Sequence, residues 1–339
     1  GFSGLSAFTG SGLAGSGRGT GLGAGGGVSL TGGGGLTAAT DLAGGGKRVG
    51  IHIAAPALAI APGSDMEKTI AERQSTVYFP GDKITMLPEN WIAAFSLDAG
   101  GYRPAVSIYF DVDADFNVSA PGCKIEAVNI VENLRIQAIE PHFNAQSGLD
   151  AEGAALFAHH RDLIWFYQLA IARQKARGKY EPERAAQYDY SIELASDGLV
   201  SVARRERGSP IDTLVSEMMI LANSTWAQML DQAGLPGLFR VQPAGKVRMS
   251  TQSEPHIGMG VQHYGWFTSP LRRAADYINQ KQLISLIDRK PRRFIRKTMP
   301  IYSPRCAIST PPIRPMPISS AKWKPIGAWF TCSSKALKN

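Results

Sequence analysis

Glycine is distributed along this chain so that only part of it can be expected to fold. Nineteen of the 37 glycines fall within the first 46 residues, mixed with Ser, Thr, Ala and Leu. Glycine loses more backbone freedom on ordering than any other residue and brings no side chain to bury. Residues 1–46 are therefore expected to be a disordered segment. The far end is set aside on other grounds. Residues 291–339 hold eight prolines and ten Lys or Arg with no Asp or Glu, and no apolar period survives there. This leaves residues 47–290 as the one domain-sized region.

The formal charge of +8 suggests a polyanionic partner until it is located. The last 49 residues contribute ten positive charges and Arg18 cancels Asp41, so residues 47–290 stand at −2. Basicity thus says little about a nucleic-acid face on the folded part. Cys123, Cys306 and Cys332 make no metal-ligand or CxxC spacing. A reducing, cytoplasmic setting is the simplest expectation. The most apolar run, Ile51 to Ala61, is too short to cross a bilayer, and no membrane partner is expected.

Within 47–290, residues 47–53 alternate as a strand, and strands are also expected over 76–79 and near 104–110 and 116–119. Ser64-Asp65-Met66-Glu67 has capping-box spacing and predicts a short helix to Arg73. A long helix is expected from Ala151 to about Arg177, and a hairpin over 188–204 turning at Ser196-Asp197-Gly198. Ser209-Pro210 and Ser269-Pro270 each read as a helix start, the first helix running to about Gly234 and the second to about Ile287. Strands and helices mix without strict alternation, which predicts an α+β domain with a mixed or antiparallel sheet surrounded by helices.

Several apparent motifs carry no chemistry. Gly21, Gly23 and Gly26 match GxGxxG, but no strand precedes them and no helix follows. Asp111, Asp113 and Asp115 open like a calcium loop, yet Phe116 stands where that loop needs glycine. His159 and His160 are adjacent and point about 100° apart on a helix.

Three places merit a chemical reading. Arg272 and Arg273 follow Thr268-Ser269-Pro270 at an expected helix start, where free N–H groups, the positive dipole end and a guanidinium fork would hold phosphate. An ordinary helix start with solvated arginines explains the same residues slightly better on local grounds alone. Glu217, between Leu214 and Leu221, sits at the edge of an apolar stripe, where a salt-bridged border carboxylate is the commoner case. Tyr78, before Pro80-Gly81, could stack a nucleobase, although a strand tyrosine is usually packing.

In order along the chain, VGIHIA (49–54), APGSDMEK (61–68), STVYFPGDKITMLPE (75–89), RPAVSI (103–108), LVSEMMILAN (214–223) and GMGVQHYGWFTSPLRRAADYINQKQL (258–283) resemble the catalytic (RNB) domain of the ribonuclease II/R family. The resemblance covers most of 47–290. It implies a 3′→5′ exoribonuclease that hydrolyses single-stranded RNA to 5′-nucleoside monophosphates with Mg²⁺. By position, Arg272 is similar to the arginine holding phosphate near the scissile bond, a catalytic role. Tyr78 corresponds to the aromatic near the terminal nucleotide, Glu217 to a carboxylate contacting RNA, and Arg273 is placed with them as RNA-binding. The partner implied is single-stranded RNA, and a monomer is expected.

Two departures matter. The family carries an acidic cluster just before the segment matching Val49, and its carboxylates hold the Mg²⁺ ions; residues 1–40 contain no Asp or Glu. No metal site is expected in this chain, and the reading that follows is an inactive or RNA-binding remnant. The flanking OB-fold domains of the family are not expected within these residues either. The acid-free tail fits a frameshift near 288–294, since another reading frame of compatible codons spells a helical, acid-containing continuation.

Overall fold

The computed structural model describes residues 27–31, 34–42, 45–79, 82–134, 136–144, 157, 159–182, 186–194 and 199–288. The expectations for 1–26 and 291–339, the helix start at Ala151 and the turn at Ser196-Asp197-Gly198 lie outside these residues.

Five strands close a barrel: β1 (Gly27–Thr31), β2 (Gly34–Asp41), β3 (Lys47–Ala54), β6 (Gly101–Val112) and β7 (Val118–Asn133). β7 returns parallel to β1, and the other pairs are antiparallel. Disorder throughout 1–46 is therefore corrected for 27–31 and 34–41. β2 holds because its neighbour supplies the apolar surface that its own glycines lack. It pairs with β3 from Gly34↔Ile53 to Asp41↔Lys47, and Leu36 is fully buried against that partner. A ladder to a regular strand satisfies its backbone whatever side chains it carries.

β7 corrects a second expectation, being far longer than 116–119. Pro121-Gly122 reads as a break, but the register passes from Asp111↔Ser119 to Tyr109↔Gly122, so two residues oppose Phe110. Proline is accommodated in such a bulge because the ladder is already interrupted there.

One face of the barrel strands carries Leu36, Val49, Ile51, Ile53, Val106, Ile108 and Phe110 in a single apolar cluster with two helices. These are α4 (His160–Ala176), through Leu163 and Phe166, and α5 (Pro210–Gln232), through Leu214 and Met218. Ser209 caps α5 by accepting from Asp212 N, as its spacing predicts. α4 begins at His160, after His159 in a left-handed conformation (φ 67°). β8 (Gln187–Leu194) and β9 (Val200–Arg207) pair antiparallel along their length, as the expected hairpin requires.

A second cluster lies at the other end of β3. α1 (Asp65–Arg73), capped by Ser64, packs through Ile70 with Met86, Leu97 and α6 (Ala274–Ile287). Glu67 accepts from Gly63 N, one residue earlier than a strict capping box. α6 is buried nearly all round, polar residues included. The remaining elements are the hairpin β4 (Val77–Phe79) with β5 (Asp82–Ile84), α2 (Glu89–Phe95), α3 (Ile136–Ile139), and the pair β10 (Phe239–Val241) with β11 (Arg248–Ser250). The fold is α+β, and no helix of the described residues is long and apolar enough to cross a membrane.

The opposite barrel face holds a polar chain. His52 is buried, with Nε2 2.6 Å from Thr37 Oγ1 and Nδ1 2.8 Å from Ser107 Oγ. Gly50 leaves the space for it, since a Cβ there would lie 2.9 Å from both the His52 ring and Tyr109. Burial lowers the His52 pKa to about 4, outweighing Glu126 nearby, while Lys124 pushes the same way as burial.

Two outcomes test this architecture. Leu36→Ala should cost about 2–5 kcal/mol in urea unfolding, the range for a deleted buried leucine; a change within about 0.5 kcal/mol would mean that β2 is not part of the core. The second concerns pH. The neutral His52 contributes stability that is complete above its unfolded pKa of 6.5 and is lost as pH falls toward 4. Across that window the wild type should lose roughly 3 kcal/mol more than His52→Gln. Parallel stability–pH curves would show that the folded histidine titrates normally.

Candidate functional site

The C-cap of α1, Gln74, takes φ 58° and turns the chain into a strap along the start of α6. Gln74 O accepts from Ala274 N at 2.7 Å, Thr76 N donates to Arg272 O at 3.0 Å, and Ser75 bridges Arg273. Tyr78 lies two residues beyond Thr76 and is exposed. Residues 74–76 and 272–274, far apart in sequence, are brought together by backbone bonds. Burial, with Arg273 alongside, pushes the Arg272 pKa down, though a guanidinium keeps its charge at neutral pH.

The helix start is corrected. α6 begins at Ala274, with Arg273 as its N-cap, five residues after Ser269. Ser269–Arg273 is instead a turn in which Arg272 N and Arg273 N both donate to Ser269 O at 3.1 Å. Asp276, fully buried, fixes that turn: its Oδ1 accepts from Ser269 N at 2.8 Å and from Arg273 Nη2 at 2.7 Å. Burial raises the Asp276 pKa against the pull of Arg273 and the amide.

Arg273 also stacks on Trp266, 4.5 Å from the ring centroid, and Arg240 lies 4.8 Å from the same ring. Arg273 is thus neutralised by Asp276 and engaged by Trp266, so it serves the turn rather than an open anion site. Local spacing could have pointed to Asp276, three residues beyond Arg273 in a helix's first turn. Nothing local points to Trp266 or Arg240.

Glu217 lies on α5 rather than at the start of α6. It is buried on α5 and forms a bidentate pair with Arg177 at the end of α4, Arg177 Nε lying 3.2 Å from Oε2 and Nη2 meeting Oε1. Arg177 Nη1 also donates to Met259 O. Burial raises the Glu217 pKa while Arg177 and Gln174 oppose it. The border-carboxylate alternative describes this residue better than direct RNA contact. Arg177, 40 residues away, carried no sequence signal.

Among the described residues, no group of three or more His, Cys, Asp or Glu converges as metal ligands. The acid at the end of β2, Asp41, is exposed and pairs with Lys47 at 2.8 Å. The described residues do not fit a carboxylate-held Mg²⁺ site.

The strap at 74–76, bonded to the turn before α6, lies on an α+β domain built around a closed barrel. The chain matches the RNB domain over residues 36–251 and 244–289, and it belongs to that family. It is similar to Exoribonuclease 2 of Glaesserella parasuis serovar 5 (strain SH0165), 25% identical over a 320-residue alignment covering 75% of this chain and 48% of the relative. The chain thus spans about half the length of the curated relatives it matches. Mycoplasma genitalium RNase R in complex with ribose-methylated single-stranded RNA superposes with a TM-score of 0.61 at 16% identity, over 75% of this chain and 48% of that one. Yeast Ssd1, a pseudonuclease, gives 0.60 at 15%, over 77% and 38%.

The Arg177–Glu217 pair makes a stability prediction. Arg177→Met leaves a carboxylate buried without its partner and should cost about 3–5 kcal/mol at neutral pH. Arg177→Met with Glu217→Leu should recover most of that, because a matched apolar pair removes both charges together. Equal losses in the single and double variants, by chemical denaturation, would show that the pair is not what the site depends on.

Proposed function

We propose that this chain is a single-stranded-RNA-binding RNB domain, of the class that acts as 3′→5′ exoribonuclease, and that as it stands it holds RNA without cleaving it. The observation that supports this is the strap at 74–76, whose bonds to 272–274 are consistent with Tyr78 and Arg272 facing one site. An exposed tyrosine offers a face for a terminal base, and base–aromatic stacking contributes about 1–3 kcal/mol. A guanidinium next to it offers paired donors to the phosphate that follows. In the intact enzyme class, water attacks the terminal phosphodiester, the 3′ oxygen of the preceding nucleotide leaves, and a 5′-nucleoside monophosphate is released. Arg272 can steady charge on that phosphate, but it cannot activate water. Mg²⁺ would supply that chemistry, and the carboxylates to hold it are not found among the described residues.

Binding without cleavage is the reading favoured over hydrolysis by the lack of acids in residues 1–40. The fold's occurrence in Ssd1, a pseudonuclease, is consistent with it.

The test uses the full chain, Mg²⁺ and a 5′-labelled single-stranded RNA. Expected are a bound complex by gel shift, weakened about tenfold or more by Arg272→Ala, and no shortening of the label. Stepwise 3′ shortening would overturn the non-cleaving part. RNA affinity unchanged in both Arg272→Ala and Tyr78→Ala would overturn the site.

A further inference from the structure

The hairpin of β8 and β9 has two unlike faces. Residues directly opposite one another in an antiparallel pair share a face. Tyr188↔Glu206, Tyr190↔Arg204 and Ile192↔Val202 therefore lie together, with Val200 next on β9. Arg204 stacks on Tyr188 across that face, 4.4 Å from the ring centroid. The other face carries Asp189, Arg205 and Arg207. Asp189 pairs with Arg207 at 3.0 Å. Arg205 reaches the body of the domain, with Nε 3.0 Å from Glu140 Oε2 and Nη2 2.9 Å from Asp212 Oδ1. The polar face is thus turned toward the domain and the apolar face away from it.

That outer face is bare. Tyr190 is 64% exposed, Val200 and Val202 61% each, and Ile192 48%. Among the described residues no third strand pairs with the hairpin. A two-stranded hairpin is marginal alone in water and gains stability from a further packed surface. Contiguous exposed apolar side chains rimmed by polar groups mark an interaction surface. Here the rim is one cation, Arg204, and one anion, Glu206, both at the base, while Ile192, Val200 and Val202 make the tip apolar.

This distribution is complementary to itself. A two-fold axis along the strands lays β8 of one copy over β9 of another, tip against tip, as in an aligned sheet-on-sheet packing. Ile192 then faces Val202 of the second copy, Tyr190 faces Arg204, and Tyr188 faces Glu206. Apolar meets apolar, the guanidinium meets a ring, the carboxylate meets a phenol, and no like charges oppose. The domain bodies lie behind the polar faces and so diverge to opposite sides. An axis across the strands would instead set the apolar tip against Arg204 and Glu206. Two strands of eight residues present a face of roughly 27 by 10 Å. That is smaller than a standard interface and suits a reversible dimer.

We propose that the outer face of the β8–β9 hairpin is a homodimer interface, its occupant the same hairpin of a second copy of this chain, packed face to face about a two-fold axis along the strands. It uses none of the residues to which RNA contact is assigned above.

Sedimentation equilibrium of the full chain over about 1–100 µM, where small interfaces associate, tests this. The wild type should pass from monomer to dimer, the monomer expected from the sequence being the dilute form. Ile192→Glu and Val202→Lys should each weaken self-association about tenfold or more, since each sets a charge against an apolar side chain. Mixed in equal amounts the two variants should associate again, because the new carboxylate and the new ammonium face each other across the axis. Melting curves of the dilute variants check that the fold is retained. A wild type that stays monomeric throughout would sink the proposal, and this arm decides even if a variant does not fold. Dimerisation unchanged in both variants would put the contact elsewhere on the domain. Single losses with no recovery on mixing would rule out the axis along the strands. A monomeric wild type whose binding to a short oligouridylate is weakened by Tyr190→Ala would make the face an RNA contact, against the proposal.

Discussion

Buried amides on α6 hold together the parts of this domain that no sheet joins. Asn279 donates to the carbonyls of Leu238 and Trp266 and accepts from Leu238 N, pinning the entry to β10. Gln280 reaches the opposite way, donating to Ala54 O at the end of β3 and accepting from Ala57 N. Gln282 donates to Pro236 O. Lys281 and Tyr277 both meet Glu67, which draws α1 onto the same helix. Each is an interaction whose loss strands a buried polar group, at about 1–3 kcal/mol apiece. The helix is consequently fixed in rotation and in depth, and the turn leading into it inherits that fixity. Arg272 is placed by backbone on one side and by a helix that cannot rotate on the other.

The arginines of the domain divide by what they face. Arg177 and Arg273 are consumed by buried carboxylates and build the scaffold. Arg205 does the same at the base of the β8–β9 hairpin, tying Glu140 to Asp212. Positive charge in a site is thus a poor guide to ligand affinity until its carboxylates have been assigned.

Much of this organisation was legible from the chain. The alternation in 47–53, the Ser209 cap and the β8–β9 hairpin are set by local periodicity and turn chemistry, and local rules recover them. β2 was not legible, because its glycines carry no pattern and its stability comes from β3. β7 was hidden by Pro121-Gly122, whose usual meaning is a break and whose meaning here depends on the partner strand. Ser269-Pro270 has the composition of a helix start, but Asp276 takes the Ser269 N–H and holds a turn there instead. The bonds between 74–76 and 272–274 left no local signal, nor did the pairing of Glu217 with Arg177. Contacts between distant segments leave no trace in local spacing.

The bulge in β7 has a consequence for how the domain tolerates change in length. Because two residues oppose Phe110 while the pairs on either side keep the same face, one of them is surplus to the ladder. Removing it would convert the bulge to regular pairing and leave the inward and outward sets of β7 as they are. A one-residue deletion anywhere else in the strand would exchange those sets and turn apolar side chains toward water. A barrel strand thus contains, near its start, a position at which a codon can be lost without reversing the sheet.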